Sequence, residues 1–439
     1  MKASCLTLRA STLSAGVALL AGCGGSSQLS DTPSVTPQNP AIAARADSGR
    51  SWTLPEAKFK ILYNFRGYPD GGHPEALANV KGTRYGTTMA GGAHAVYGPY
   101  LHGGTVFSIT RSGTERVLYS FSNGTNGDVP TAPLADVNGT LYGTTITGGA
   151  YGCDGGRCGT VFSITTDGIE KVLHSFGGGG SYGSGADGAF PFAGLINVKG
   201  TLYGTTEEGG THGLGTVFSI TPDGTEKVLY SFSYGSDGRS PQAPLTELNG
   251  TLYGTTPSGG NLNGGTVFSI TTRGVEKVLH RFGPGADGAY PNAGLTDVNG
   301  TLYGTTEGGG SHYCGRPYGR CGTVFSITPG GREVLLHSFA GGSDGAYPQA
   351  ALIDVNGTLY GTTAAGGAWG SARVPGQGTI FSISTSGAEN VVHSFAKGSD
   401  GAEPLAPLLD VKGTLYGTTS RGGHGRCHGG CGTVFSFLP

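Results

Sequence analysis

After the first two dozen residues, apolar side chains occur in short bursts set between glycine-rich polar stretches. Thr266-Val267-Phe268-Ser269-Ile270 and Glu276-Lys277-Val278-Leu279-His280-Arg281-Phe282 mix polar and apolar residues over five to seven positions. Runs of that length, rich in β-branched and aromatic residues and bounded by glycine, predict half-buried strands. Nothing in this part of the chain has a 3.6-residue apolar period, so no helix is predicted there. Asn249-Gly250 joins residues 243–248 to residues 251–256. The dipeptide favours a type I′ hairpin because both residues tolerate positive φ. Residues 243–248, 251–256, 266–270 and 276–282 therefore read as four short antiparallel strands, named first to fourth from the inside outwards.

This unit recurs seven times. Its second strand carries Tyr85, Tyr142, Tyr203, Tyr253, Tyr303, Tyr360 and Tyr416, and its third carries Phe107, Phe162, Phe218, Phe268, Phe325, Phe381 and Phe435. Self-similarity at this period fixes an architecture before any residue is read for chemistry. Four-stranded antiparallel units of about fifty residues are propeller blades. The ends of the chain are split copies: residues 59–65 match a fourth strand, and residues 433–437 match a third strand that lacks one. Pairing the two closes a ring and removes an exposed sheet edge. The expected fold is all-β: a seven-bladed β-propeller over residues 55–439, with four-stranded antiparallel blades, closed by residues 59–65 on residues 433–437. The segment between second and third strands holds 15, 13, 8, 8, 15, 14 and 12 residues in successive copies. The segment between fourth and first strands is constant but for six extra residues around Gly177 to Gly185. Both segments emerge on one face. That makes it the candidate binding face, since function tends to sit on variable loops held by a rigid frame.

Glycine (86 residues) and proline (23) together approach a low-complexity composition, but they fall at fixed places in the repeat. A net charge of −2 with no basic cluster leaves no electrostatic footprint for nucleic acid. At the N-terminus Lys2 and Arg9 precede an apolar run from Leu13 to Leu20, followed by Ala21-Gly22-Cys23. Residues 1–22 predict a secretory signal, too short for a stable span. Residues 20–23 resemble a bacterial lipobox, in which the cysteine, here Cys23, is lipidated and becomes the mature N-terminus. Residues 24–54 lack an apolar pattern and read as a disordered tether. At ~5–6 Å × √n it reaches roughly 30 Å from the membrane.

Six cysteines fall in three of the second-to-third loops as local pairs: Cys153 with Cys158, Cys314 with Cys321, and Cys427 with Cys431. In an exported chain such pairs predict disulfides. His424 and His428 offer a competing metal reading for the last pair, but disulfides are preferred, and neither metal nor cofactor is expected. Asp70, Asp187, Asp237, Asp287, Asp344 and Asp400 recur four residues before a proline, with Asn126 in the second copy. A carboxylate ring of this kind is a Ca²⁺ candidate. Turn chemistry is the simpler reading, because Asn substitutes in that role. No nucleophile elbow, helical zinc motif or phosphate loop is present. A binding site must break the seven-fold sameness, and this singles out His94, Tyr97, Tyr100 and His102 in the first long loop. The fifth loop offers His312, Tyr313, Arg316 and Tyr318, and the sixth Trp369 and Arg373. Glu207, Glu208 and Glu307 are weaker candidates for acid–base work on glycosides.

The recurring Asn-Gly-Thr-Leu-Tyr-Gly-Thr-Thr, Gly-Thr-Val-Phe-Ser-Ile and Glu-Lys-Val-Leu-Tyr-Ser-Phe segments resemble the GloVer-type tandem repeat of exported bacterial proteins, over about residues 58–439. The resemblance implies an extracytoplasmic repeat protein, for which a lipobox would supply the surface anchor. It implies no activity and carries no catalytic residue onto this chain. The expected function is a non-enzymatic binding module of the cell envelope, monomeric, lipid-anchored in the outer membrane or at the cell surface. Its ligand would be a glycan or a protein. The alternative is a polysaccharide-active hydrolase or lyase working on the loop face.

Overall fold

The computed structural model describes residues 59–439 apart from 95–102, 123, 154–155, 178–184, 261, 284, 316–318, 371–375 and 397. Seven four-stranded antiparallel sheets make the blades. In the fourth blade the strands are Thr246–Leu248, Thr251–Thr256, Thr266–Thr271 and Glu276–Arg281. First strands of successive blades touch one another all the way round, from Gly72–Val80 through Leu409–Val411 and back, so they form the innermost ring. The seventh blade takes its fourth strand from the other end of the domain. Lys60–Asn64 pairs antiparallel with Thr433–Phe437, with Lys60 opposite Ser436 and Asn64 opposite Thr433. The first strand of blade four is shorter than the 243–248 expected. Pro244 has no N–H to give the ladder, and pairing starts only at Thr246.

The repeat words follow from packing. In every blade the glycine of Tyr-Gly-Thr-Thr lies under the third-strand phenylalanine. A Cβ on Gly254 would fall 2.5 Å from Phe268 Cζ and 2.8 Å from Leu245 Cδ2. That phenylalanine meets the fourth-strand phenylalanine of the preceding blade edge to face. Phe65 and Phe107 have centroids 5.1 Å apart, Phe232 and Phe268 5.2 Å, and Phe339 and Phe381 5.2 Å. All six rings are fully buried, and the core is a set of aromatic seams between neighbouring blades. The last threonine of the word bonds the threonine that opens the third strand, as Thr256 does Thr266 at 2.8 Å. The preceding threonine reaches the next blade: Thr255 Oγ1 donates to Ala293 O at 2.9 Å. Asn249 and Gly250 have φ of 53° and 81°, as a type I′ turn requires.

Fourth strands are stitched to their neighbours by polar joints. Tyr63 Oη donates to Asp70 at 2.5 Å and Tyr230 Oη to Asp237 at 2.9 Å, while His174 Nε2 lies 3.0 Å from Asp187. The glutamate that opens the next blade's fourth strand faces each joint. Burial, chiefly, pushes Glu115, Glu226, Glu276, Glu333 and Glu389 up to about 7, and the neighbouring aspartate adds to this. In the closing strand Phe59 stands where that glutamate would be. It stacks on His393 with ring centroids 3.9 Å apart and planes within 8°.

Candidate ligand-binding face

Each first strand is entered through a proline, and the residue before it is His73, Val129, Phe190, Ser240, Tyr290, Tyr347 or Glu403. All seven have φ between 54° and 60°. That is rare for any residue with a side chain, and an outlier for a β-branched one such as Val129. Strain of this kind persists only where the surroundings over-determine it. Here two backbone hydrogen bonds do so. The N–H donates into the preceding blade, as from Phe190 to Cys158 O and from Tyr347 to Cys321 O, both at 2.8 Å. The carbonyl accepts from the residue that follows its own second strand, as from Glu207 N to Phe190 O and Glu307 N to Tyr290 O, both at 3.0 Å. Neither bond involves a side chain. The backbone is thus fixed while the side chain changes from blade to blade.

Beside this ring lies a polar belt. Gln242 donates to Glu207 at 2.8 Å. Glu307, which is buried, accepts from Asn292 of its own blade and Gln349 of the next. Across blades seven and one, His73 Nδ1 is 2.9 Å from Ser420 O, and Arg421 pairs with Glu403 at 3.3 Å. Burial raises the Glu207 carboxyl despite the Gln242 hydrogen bond, and lowers the His73 imidazole. It pushes Glu75, which follows Pro74, up to about 8. Further out, Tyr234, Asp237, Arg239 and Asn263 line a cavity of about 250 Å³, where Arg239 donates to Asn263 at 2.8 Å.

The residues singled out from sequence are spread over several loops. His94, His312, Tyr313 and Trp369 are exposed. Tyr97, Tyr100, His102, Arg316, Tyr318 and Arg373 lie outside the described residues. His312 and Tyr313 lead into a short hairpin, Tyr313–Gly315 with Gly319–Arg320, closed by the Cys314–Cys321 disulfide and braced by Tyr347 Oη on Cys314 O at 3.1 Å. Cys427–Cys431 is the second disulfide. Cys158 is buried, and the side chain of Cys153 lies outside the described residues. Glu208 is exposed, while Glu207 and Glu307 belong to the amide belt. The recurring aspartates are engaged by Tyr or His and by loop N–H groups, as Ala396 N is by Asp400 at 2.8 Å. At one joint His337, Asp344 and Glu389 bring ligand atoms within 4.8 Å. Tyr63 and Tyr230 make the same joint without an imidazole, so it serves to fasten blades.

These features define a seven-bladed propeller whose loops vary in length on one face and whose turns keep one length on the other. The chain belongs to the Gloeobacter/Verrucomicrobia repeat family, which matches residues 102–318 and 315–439. No curated protein matches the sequence. Solved structures with a similar arrangement include a gluconolactonase from Xanthomonas campestris, with TM-score 0.42, 13% identity and coverage of 88% of this chain and 90% of that one. The PQQ-bound aldose sugar dehydrogenase of Streptomyces coelicolor gives 0.40, 13%, 87% and 98%. The endosialidase of phage phi92 gives 0.47, 11%, 87% and 68%. None of these likenesses bears on what this chain does.

Proposed function

We propose that this chain is a non-enzymatic glycan-binding module of the bacterial cell envelope, anchored through a lipid on Cys23, with its ligand lying across the loop face. The observation that carries the reading is the pre-proline ring: one locked backbone conformation that carries six kinds of side chain, part-exposed in every blade but the sixth, where Tyr347 is buried. The amide–carboxylate belt beside it favours a polyhydroxylated ligand over a protein, because it offers directional donors and acceptors close together. The two disulfides among the described residues fit a chain that works outside the reducing cytoplasm.

A glycan array probed with the full chain in neutral detergent tests this, followed by calorimetry on each hit. Gln242→Ala and Gln349→Ala should each weaken the hit by roughly 1–3 kcal/mol, as loss of a buried polar contact does. Asn249→Ala, on the opposite face, should leave affinity intact. An array with no saturable hit sinks the glycan reading. Turnover of a bound glycan that is lost in Glu207→Gln would make the chain an enzyme instead, since burial raises the Glu207 carboxyl and a general acid must hold its proton.

A further inference from the structure

The face of tight turns also departs from the repeat, independently of the loop face. The repeat is broken there twice at one spot. The second-strand leucine, fully buried as Leu141, Leu202, Leu252, Leu302, Leu359 and Leu415, is replaced in blade one by Arg84. The residue in the turn between third and fourth strands that is Thr166, Pro222, Thr272, Pro329 or Thr385 elsewhere is Arg111 in blade one. Both line a cavity of about 180 Å³ between blades one and seven, together with Lys412, Thr414, Val411 and Tyr416. Arg84 is only 2% exposed. Its guanidinium lies 3.8 Å above the Tyr416 ring, its Nη1 reaches Gly82 O at 3.3 Å, and its buried Nε has no hydrogen-bond partner. No carboxylate pairs with it among the described residues. The nearby turn acid, Asp410, accepts the Gly413 N–H at 2.8 Å. A guanidinium stacked by its face keeps its N–H edge for an in-plane oxyanion, and three cationic side chains line a space worth about six waters.

We infer that the cavity between Arg84, Arg111 and Lys412 binds a small oxyanion group, the carboxylate or phosphate of a ligand that docks on the turn face. Calorimetry and thermal shift on the full chain, with inorganic phosphate, sulfate and D-glucuronate titrated at constant ionic strength, test it. At least one should bind saturably and raise the melting temperature, and the tighter arm tells a phosphate ligand from an acidic sugar. Arg84→Leu restores the residue found in six blades, so it should melt no lower than the wild type while binding falls by about tenfold or more. Arg111→Ala should weaken binding and, being at a surface turn, guards against any misfolding of the first variant. No saturable binding by any of the three anions, or unchanged affinity in both variants, overturns the inference.

Discussion

Gly254→Ala tests why the repeat keeps its glycine. Its φ lies outside the left-handed region, so alanine suits the backbone there. Removing glycine from an extended strand would by itself stabilise by about 0.4–1 kcal/mol, through the unfolded chain. The structure opposes this. The added methyl would sit 2.5 Å from Phe268 Cζ, where ordinary contacts begin at 3.4 Å. The ring must retreat by roughly 1 Å, but Phe268 is fully buried and packs edge to face on Phe232 of the blade before. Overpacking of that kind costs about 1–3 kcal/mol. The balance is a loss of about 1–2 kcal/mol, read as a lower urea midpoint by circular dichroism. Adding Phe268→Leu should give a double variant more stable than the two separate losses would sum to, because the smaller side chain relieves the clash. A Gly254→Ala protein as stable as the wild type would refute the packing argument, and with it the reason given for the word Tyr-Gly-Thr-Thr.

Two further outcomes concern charge and closure. Five fourth-strand glutamates are raised to about 7 in the fold, so the folded ring holds protons that the unfolded chain releases near its ordinary value of 4.5. Stability should therefore be highest with these groups protonated and fall as pH climbs through about 7, so the melting temperature should drop between about pH 5 and pH 8. His280 and His73, lowered by burial, act in the opposite sense below 6.5. Glu276→Gln should flatten part of the slope, and a melting temperature that rises over this range would contradict the assignment. Removal of residues 1–65 should leave the Thr433–Phe437 edge bare and Phe107 without Phe65, giving oligomers by light scattering. Removal of residues 1–58 should leave a monomer, and equal behaviour of the two truncations would argue against the closing strand.

The ring was legible because repetition turns weak local signals into strong ones. One Asn-Gly dipeptide suggests a hairpin, and its recurrence at Asn138, Asn249, Asn299 and Asn356 establishes one. The split ends gave the closing pair for the same reason. The binding face was only partly legible. Loop length drew attention to Trp369 and Tyr313, which stand exposed on separate loops. The residue before each proline varies just as visibly, from Val129 to Glu403, but a left-handed φ is not written in a side chain's identity. Glu307 looked like a free acid because nothing in sequence places it between Asn292 and Gln349. Arg84 was visible as a departure from leucine, yet its meaning depends on Arg111 and Lys412, which only the ring brings to the same cavity.

The strand borrowed from the far end of the domain also sets how the ring comes apart. Lys60 and Ser436 are 376 residues apart, and joining them costs about 2 kcal/mol more chain entropy than closing a single repeat of about 50 residues. Six blades can form from neighbours in sequence, while the seventh waits for both ends. Once formed, it leaves no terminal blade free to peel away, and neighbouring blades share aromatic seams all round. Loss of the fold should then begin at one five-residue strand, and the domain's endurance under heat or protease would be a lifetime set by how often that strand lets go.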